Sequence, residues 1–196
     1  GLNTPLKPLI SFSMNKQNFY DLNFDQLKNF LIEKVEIEDK KAKMRAQQMF
    51  NAVYKKNIKN FDELTTFGLE LREKIKNLIS LDKPKIIDIQ KSKDGTIKFL
   101  LELKDKRNVE TVLIPDKSQS RYTICLSVSV GCYLSCEFCA TAQISKKLVR
   151  NLTPGEIISQ IILSKDYIDD WSTQKKITNQ VLMGEGSPFL NLDNVK

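Results

Sequence analysis

Four cysteines, Cys125, Cys132, Cys136 and Cys139, fall within fifteen residues of a 196-residue chain that has no others. Disulfide scaffolds spread their cysteines along the chain, so a tight cluster reads instead as a metal or cluster site in a reducing compartment. The last three follow the spacing C-x3-C-x2-C, in Cys132-Tyr133-Leu134-Ser135-Cys136-Glu137-Phe138-Cys139. Three thiolates on one short loop can hold three irons of a [4Fe-4S] cluster and leave the fourth iron open. An open iron can chelate the amino and carboxylate groups of S-adenosylmethionine and pass an electron to its sulfonium. Cleavage of the C–S bond then gives a 5′-deoxyadenosyl radical, chemistry that belongs to the cofactor while the protein positions it. Phe138, just before the third cysteine, would shield the cluster. The competing reading is a four-cysteine zinc site that includes Cys125. Zinc knuckles use C-x2-4-C, and the interval from Cys125 to Cys132 is too long for one. A small core thiol is otherwise the commoner fate of a free cysteine such as Cys125.

Composition narrows the rest. The chain has no histidine, which excludes Ser-His-Asp and Cys-His nucleophile systems and His-ligated zinc or copper. Proton transfer must fall to Cys, Asp, Glu, Lys or Tyr. Lys and Arg number 31 against 24 Asp and Glu, a net charge of +7 that suits a phosphate-rich partner. With 41% hydrophobic residues the chain can bury a core in one or two domains. No stretch approaches the roughly 18–20 apolar residues of a membrane span, and Gly1 to Ser13 lacks the basic and apolar regions of a leader. These features predict a cytoplasmic protein that does not engage a membrane, with residues 1–20 as a disordered extension.

The elements that must position the cysteines are legible from periodicity. Phe24, Leu27, Phe30 and Leu31 form a helical stripe behind Asn23 as cap, with Asp25 in the first turn. Lys40 to Tyr54 places Ala42, Ala46, Met49, Phe50 and Val53 on one face. A short helix over Asp62 to Thr66 and a longer one over Leu69 to Ile79 follow, divided near Gly68. After Pro84 the period falls to two: Ile86 to Gln90, Thr96 to Leu103 and Val109 to Ile114 read as a β-meander whose first turn carries Asp94-Gly95. A polar stretch at 116–122 marks a boundary. Tyr122 to Val130 reads as one strand, with Leu126, Val128 and Val130 on one face and Cys125, Ser127 and Ser129 on the other. Thr153-Pro154-Gly155-Glu156 then starts a helix with an N-cap, Pro at the first position and the makings of a capping box. Ile157, Ile158, Ile161, Ile162 and Ile168 give it an apolar face. Ile177 to Met183 is a second strand, ending in a Gly-rich loop. Strand, cysteine loop, helix and strand make a βαβ unit with its loops at the strands' C-terminal ends.

Across these blocks the sequence resembles the bacterial radical-SAM dual-specificity RNA adenine-C2 methyltransferases, from about Asp21 to Lys196. The resemblance rests on Arg45 to Phe50, Ser92 to Lys98, Val109-Glu110-Thr111-Val112 with Ile114-Pro115, Cys125 to Thr141, Arg150 to Thr153 with Glu156-Ile157, and Asn191 to Val195. It implies an α/β fold with a helical accessory domain at 21–82, a β-meander linker at 83–117, and the first βαβ unit of a partial radical-SAM barrel at 118–196. It also implies methylation of adenine C2 in 23S rRNA and tRNA, with a [4Fe-4S] cluster, S-adenosylmethionine and an electron-donor protein. In that family a cysteine near the C-terminus carries the methyl group, and a second cysteine releases the adduct through a transient disulfide. By position the cluster ligands are Cys132, Cys136 and Cys139, the resolving cysteine is Cys125, and the proton acceptor is Glu110. Gly186 and Ser187 fall in the segment that contacts S-adenosylmethionine.

Three departures qualify what the resemblance implies. The family's Gly-Glu-Pro stands here as Gly186-Ser187-Pro188, with a Glu at 185. The stretch from Gln143 to Val149 is about two residues longer than the family's spacer. Barrels of this kind need on the order of 200 residues or more, so the expectation is an N-terminal fragment that is inactive alone and lacks the methyl-carrying cysteine. The alternatives are a relative that methylates adenine C8 and a truncated, non-catalytic RNA-binding module.

Overall fold

The computed structural model describes residues 15–118, 120–131, 149–182 and 192–195. The chain opens with strand β1 (Gln17–Asn18) and a 3-10 turn at Phe19–Asp21, then helix α1 (Phe24–Glu33). Asn23 caps α1 in a reciprocal capping box with Gln26. Helix α2 (Asp39–Tyr54) buries Ala42, Ala46, Met49, Ala52 and Val53 on one side, the 3.6-residue stripe the sequence shows. The short helix expected at 62–66 is a single 3-10 turn, Phe61–Glu63, capped by Asn60. Helix α3 (Leu69–Leu78) starts after Gly68, and Ile79 leaves it to form strand β2 (Ile79–Ser80), which pairs in parallel with β1.

This pairing corrects the expected limits of the helical unit. Gln17 to Tyr20, assigned by sequence to the extension, are part of the core: Phe19 is fully buried and packs its ring against Phe50, Tyr54 and Phe61 at 5.6–6.3 Å. Such a ring loses a large apolar contact with water only in the folded state, and this holds the segment in place.

The second half is one mixed sheet of five strands. Strands β3 (Lys85–Lys91), β4 (Ile97–Glu102), β5 (Asn108–Pro115) and β6 (Tyr122–Cys125) run antiparallel in sequence order. β5 pairs with β6 directly across the boundary expected at 116–122, and both lie over one core. The expected strand from 122 to 130 is interrupted at Leu126-Ser127-Val128 and resumes as β7 (Ser129–Val130), which pairs with β8 (Arg150–Asn151). Helix α4 (Pro154–Ile168) then crosses over to β9 (Ile177–Val181), which pairs in parallel with β6. A short helix, α5 (Leu192–Val195), follows.

Helix α4 is the middle layer of the molecule. Ile157 packs into the sheet core with Phe99, Leu113 and Ile124, while Ile162 packs into the helical core with Leu27 and Phe19. Both ends of α4 are also tied to the helical unit. Asp21 accepts the Gly155 N–H at 2.7 Å, and Asp166 accepts from Asn57 and pairs with Lys59, both at 2.8 Å. Among the described residues no helix is long and apolar enough to cross a membrane.

Candidate active site

Alternation along β4 and β5 sorts the sheet's two faces. Ile97, Phe99, Leu101, Val109, Leu113 and Ile124 are buried in the core that includes Ile157 of α4. Lys98, Glu110, Val112 and Cys125 consequently project from the opposite face, because successive side chains on a strand point to opposite sides. The register joins a row across all five strands: Gln90 pairs with Lys98, Lys98 with Val112, Val112 with Cys125, and Cys125 with Val181.

Glu110 stands two residues from Val112 and so is the diagonal neighbour of Cys125, a relation that places residues roughly 7–8 Å apart. The two residues that the family resemblance singles out on separate strands thus share one face. Cys125 is a free, half-buried thiol whose pKa burial pushes up, so it is held protonated near neutrality. The Glu110 carboxylate pairs with Lys98 at 3.1 Å. Its backbone carbonyl accepts the Ser127 hydroxyl at 2.5 Å, which ties the start of the interrupted segment to β5.

The interruption itself has a cause the sequence reading missed. Gln160, fully buried on α4, takes the Ser127 N–H at 2.9 Å on Oε1 and donates Nε2 to the Ser127 carbonyl at 2.8 Å. The Thr111 hydroxyl donates to the same Oε1 at 2.8 Å. A side-chain amide can satisfy one donor and one acceptor of a strand residue at once, so Gln160 holds Ser127 as a neighbouring strand would. The available signal was a pair of polar residues, Ser159 and Gln160, between Ile157-Ile158 and Ile161-Ile162, in a helix otherwise read for its apolar face.

Beyond Ser127 the chain is gripped on both sides of the cysteine motif. Gly131 has φ 75°, which favours glycine, and directly precedes Cys132. The returning chain meets the outgoing one where Val149 donates to the Val130 carbonyl and Leu152 to that of Val128, both at 2.9 Å. Arg150 secures the return by pairing with Asp105 at 2.8 Å and Glu156 at 3.1 Å. Glu156 therefore completes only half of the expected capping box. Its N–H donates to the Thr153 hydroxyl at 3.2 Å, while its carboxylate turns to Arg150. Burial raises the pKa of Glu156 against the opposing pull of Arg150. Cys132, Cys136, Cys139, Gly186 and Ser187 lie outside the described residues.

The basic group of the helical unit divides in two. Arg45 is half-buried over the Phe67 ring at 4.7 Å and donates to the Thr66 carbonyl, and Lys59 is taken by Asp166. Lys43, Lys55 and Lys56 are exposed.

Residues 17–81 match the family described as "Ribosomal RNA large subunit methyltransferase N-terminal domain". The chain is 39% identical over 175 residues to the dual-specificity RNA methyltransferase RlmN of Oleidesulfovibrio alaskensis, a match covering 89% of this chain and 47% of that protein. It is 41% identical over 172 residues to the RlmN of Parvibaculum lavamentivorans, covering 82% and 42%. A crystal structure of a radical SAM methyltransferase from Sphaerobacter thermophilus superposes with a TM-score of 0.76 at 31% identity, over 91% of this chain and 49% of that one. The chain thus spans about half the length of the curated relatives it matches.

Proposed function

We propose that the chain belongs to the family of the dual-specificity RNA methyltransferases RlmN, which it matches over about half of their length, and that it carries the RNA-facing and radical-initiating part of an enzyme that methylates C2 of adenine in 23S rRNA and tRNA. The observation that carries this reading is the placement of Glu110 and Cys125 on one face of the sheet, one residue step apart around Val112. A base bound over that face would meet a carboxylate to take the C2 proton and a thiol to release the product.

The donor set suits the cofactor. Three thiols in C-x3-C-x2-C match in number and softness a [4Fe-4S] cluster with one iron left for S-adenosylmethionine. Cys132, Cys136 and Cys139 would hold it, Gly186 and Ser187 would contact S-adenosylmethionine, and an electron-donor protein of the cytoplasm would reduce it. When bound, the cluster and S-adenosylmethionine supply the radical chemistry that makes an unactivated methyl group reactive.

The chain's own residues do the remainder. Glu110 accepts the proton that leaves C2 as the new carbon–carbon bond is completed. Cys125, once deprotonated, attacks the sulfur that still tethers the RNA; a disulfide forms, the carbon–sulfur bond breaks with its electron pair left on the methylene carbon of the base, and that carbon takes up a proton to become the methyl group. The raised pKa of Cys125 means that this thiol needs a base at that step. The sequence has four cysteines for five roles, so the methyl-carrying thiol comes from outside these 196 residues and the chain alone turns over no RNA. Ser187 offers a neutral hydroxyl where a carboxylate would meet the cofactor's ammonium, a contact that charge would make roughly twice as strong.

The test is anaerobic reconstitution with iron and sulfide, followed by S-adenosylmethionine, dithionite and unmodified ribosomal RNA. We expect 5′-deoxyadenosine by mass spectrometry without methyladenosine. Tight zinc binding through Cys125 with no iron uptake would overturn the reading.

A further inference from the structure

A cleft of about 320 Å³ opens beside Glu110, between the β3–β4 hairpin and β5, a size at the lower end of small-ligand sites, roughly 300–1,000 Å³. Gln90, Lys91, Ser92, Thr96, Lys98, Glu110 and Val112 line it, and the Lys91 ammonium is turned over the Tyr167 ring at 5.3 Å. Its hairpin wall is well held: Asp94 accepts the Ser92 hydroxyl at 2.6 Å, the Thr96 hydroxyl at 3.0 Å and the Thr96 N–H at 3.0 Å. The floor is Val112, the residue registered opposite Cys125.

We infer that this cleft is a phosphodiester subsite for the RNA substrate, and that Lys98 leaves Glu110 for the RNA phosphate when substrate enters. The inference rests on the reading of Glu110 as the proton acceptor. Lys98 is the one cation in the row Gln90, Lys98, Val112, Cys125, Val181. It stands two strands from Cys125, about 10 Å at the usual interstrand spacing, which is the span of a nucleotide from base edge to phosphate. A base over Glu110 and Cys125 therefore brings its backbone to the hairpin side.

The exchange is electrostatically easy. The Lys98 and Glu110 side chains are 41% and 44% exposed, and an ion pair so open to water holds weakly. A phosphodiester brought in by the rest of the RNA competes well for the ammonium, with the Gln90 amide beside it as a further donor. Once Lys98 turns to phosphate, the Glu110 oxygen it held at 3.1 Å is available to the C2 proton. The pair thus keeps the carboxylate occupied until substrate is present.

The test is equilibrium binding of a short single-stranded, adenine-containing oligoribonucleotide to the chain and its variants, read by fluorescence anisotropy over a range of salt. Lys98→Met should weaken binding about tenfold and flatten the slope of log K against log salt by about 0.7, the loss of one phosphate contact on a single strand. Lys98→Arg should bind as wild type. Glu110→Gln, which removes the competitor for the ammonium, should tighten binding several-fold, an effect that a purely structural ion pair would not produce. If Lys98→Met and Glu110→Gln both bind with wild-type affinity and slope, the subsite is refuted, while binding that still depends on Lys43, Lys55 and Lys56 preserves the RNA-enzyme reading. If the wild-type chain binds no RNA at low salt, that reading fails and the subsite fails with it.

Discussion

Asp21 Oδ1 accepts the backbone N–H of Gly155 at 2.7 Å, joining the helical unit to the first turn of α4 across 134 residues of sequence. The carboxylate sits at the positive end of the helix, where a negative charge is favoured. The contact also excludes any larger residue, since a Cβ on Gly155 would lie 2.6 Å from that oxygen and 3.0 Å from the Asp21 backbone nitrogen.

Gly155→Ala should therefore destabilise the fold by about 1–3 kcal/mol, as overpacking in a closed site does. Urea denaturation should show a lower midpoint, and Asp21→Ala in the same chain should recover part of the loss. An alanine variant that unfolds with the wild type would mean that the two units do not approach as described.

Gln160→Leu keeps the volume but removes the hydrogen bonds to Ser127 and Thr111 inside the core. Each buried polar group so abandoned costs roughly 1–3 kcal/mol. The urea midpoint should fall at an unchanged slope, which separates lost stability from a changed unfolded state. Gln160→Glu should also lose stability, because a carboxylate cannot donate to the Ser127 carbonyl. Wild-type stability in both variants would remove Gln160 from the account of the broken strand.

Asp166 gives the fold an acid limit. Burial pushes its pKa up, but hydrogen bonds from Lys59, Asn57 and Trp171 outweigh burial and leave it below the ordinary 3.8. A carboxyl lowered in the folded state contributes stability above its unfolded value and loses it as pH falls through the folded one. Thermal stability of the wild type should drop below about pH 4, and the drop should be shallower in Asp166→Asn. Identical acid profiles would contradict this assignment.

Reconstituted chain should hold close to four irons, the number in a cubane cluster. Replacing Cys132, Cys136 or Cys139 by Ala should abolish iron retention and the brown absorption, whereas Cys125→Ala should keep both. Iron content and visible spectra check this, and a cluster lost with Cys125 would move that residue into the ligand set.

Charge reversal at the exposed Lys43, Lys55 and Lys56 should weaken RNA binding and its salt dependence together, since each lost phosphate contact returns its counterion. Arg45→Glu should instead lower stability, because the guanidinium packs on Phe67 and bonds to Thr66. RNA affinity unchanged by all three lysine reversals would place the binding surface elsewhere.

Much of the local structure was legible in order of residue type. Asn23 before Phe24-Asp25-Gln26 announces a capped helix, and the spacing of Ala42, Ala46, Met49 and Val53 a buried stripe, because caps and helical period act over a few residues. Alternation through Lys98, Glu110 and Val112 likewise separates two faces of a meander, and C-x3-C-x2-C names its chemistry from donor type and spacing alone. Even so, the apolar pattern did not reveal that Phe19 and Tyr20 belong to the core, since two aromatics beside a strand of two residues carry no period.

What only the tertiary structure decided is which residues meet. The sequence places Glu110 and Cys125 on separate strands; the register of β5 against β6 puts Val112 opposite Cys125 and so brings both residues to one face. Pro115 pairs with Tyr122 across the boundary expected at 116–122, a contact the sequence does not show, because a polar turn looks the same whether it joins two domains or two strands of one sheet. The polar amide of Gln160 has meaning only once α4 lies over Ser127, 33 residues away. Period and capping are properties of neighbours along the chain, whereas register, layer order and the partner of a buried amide are set by contacts between distant segments, which form only when the whole core closes.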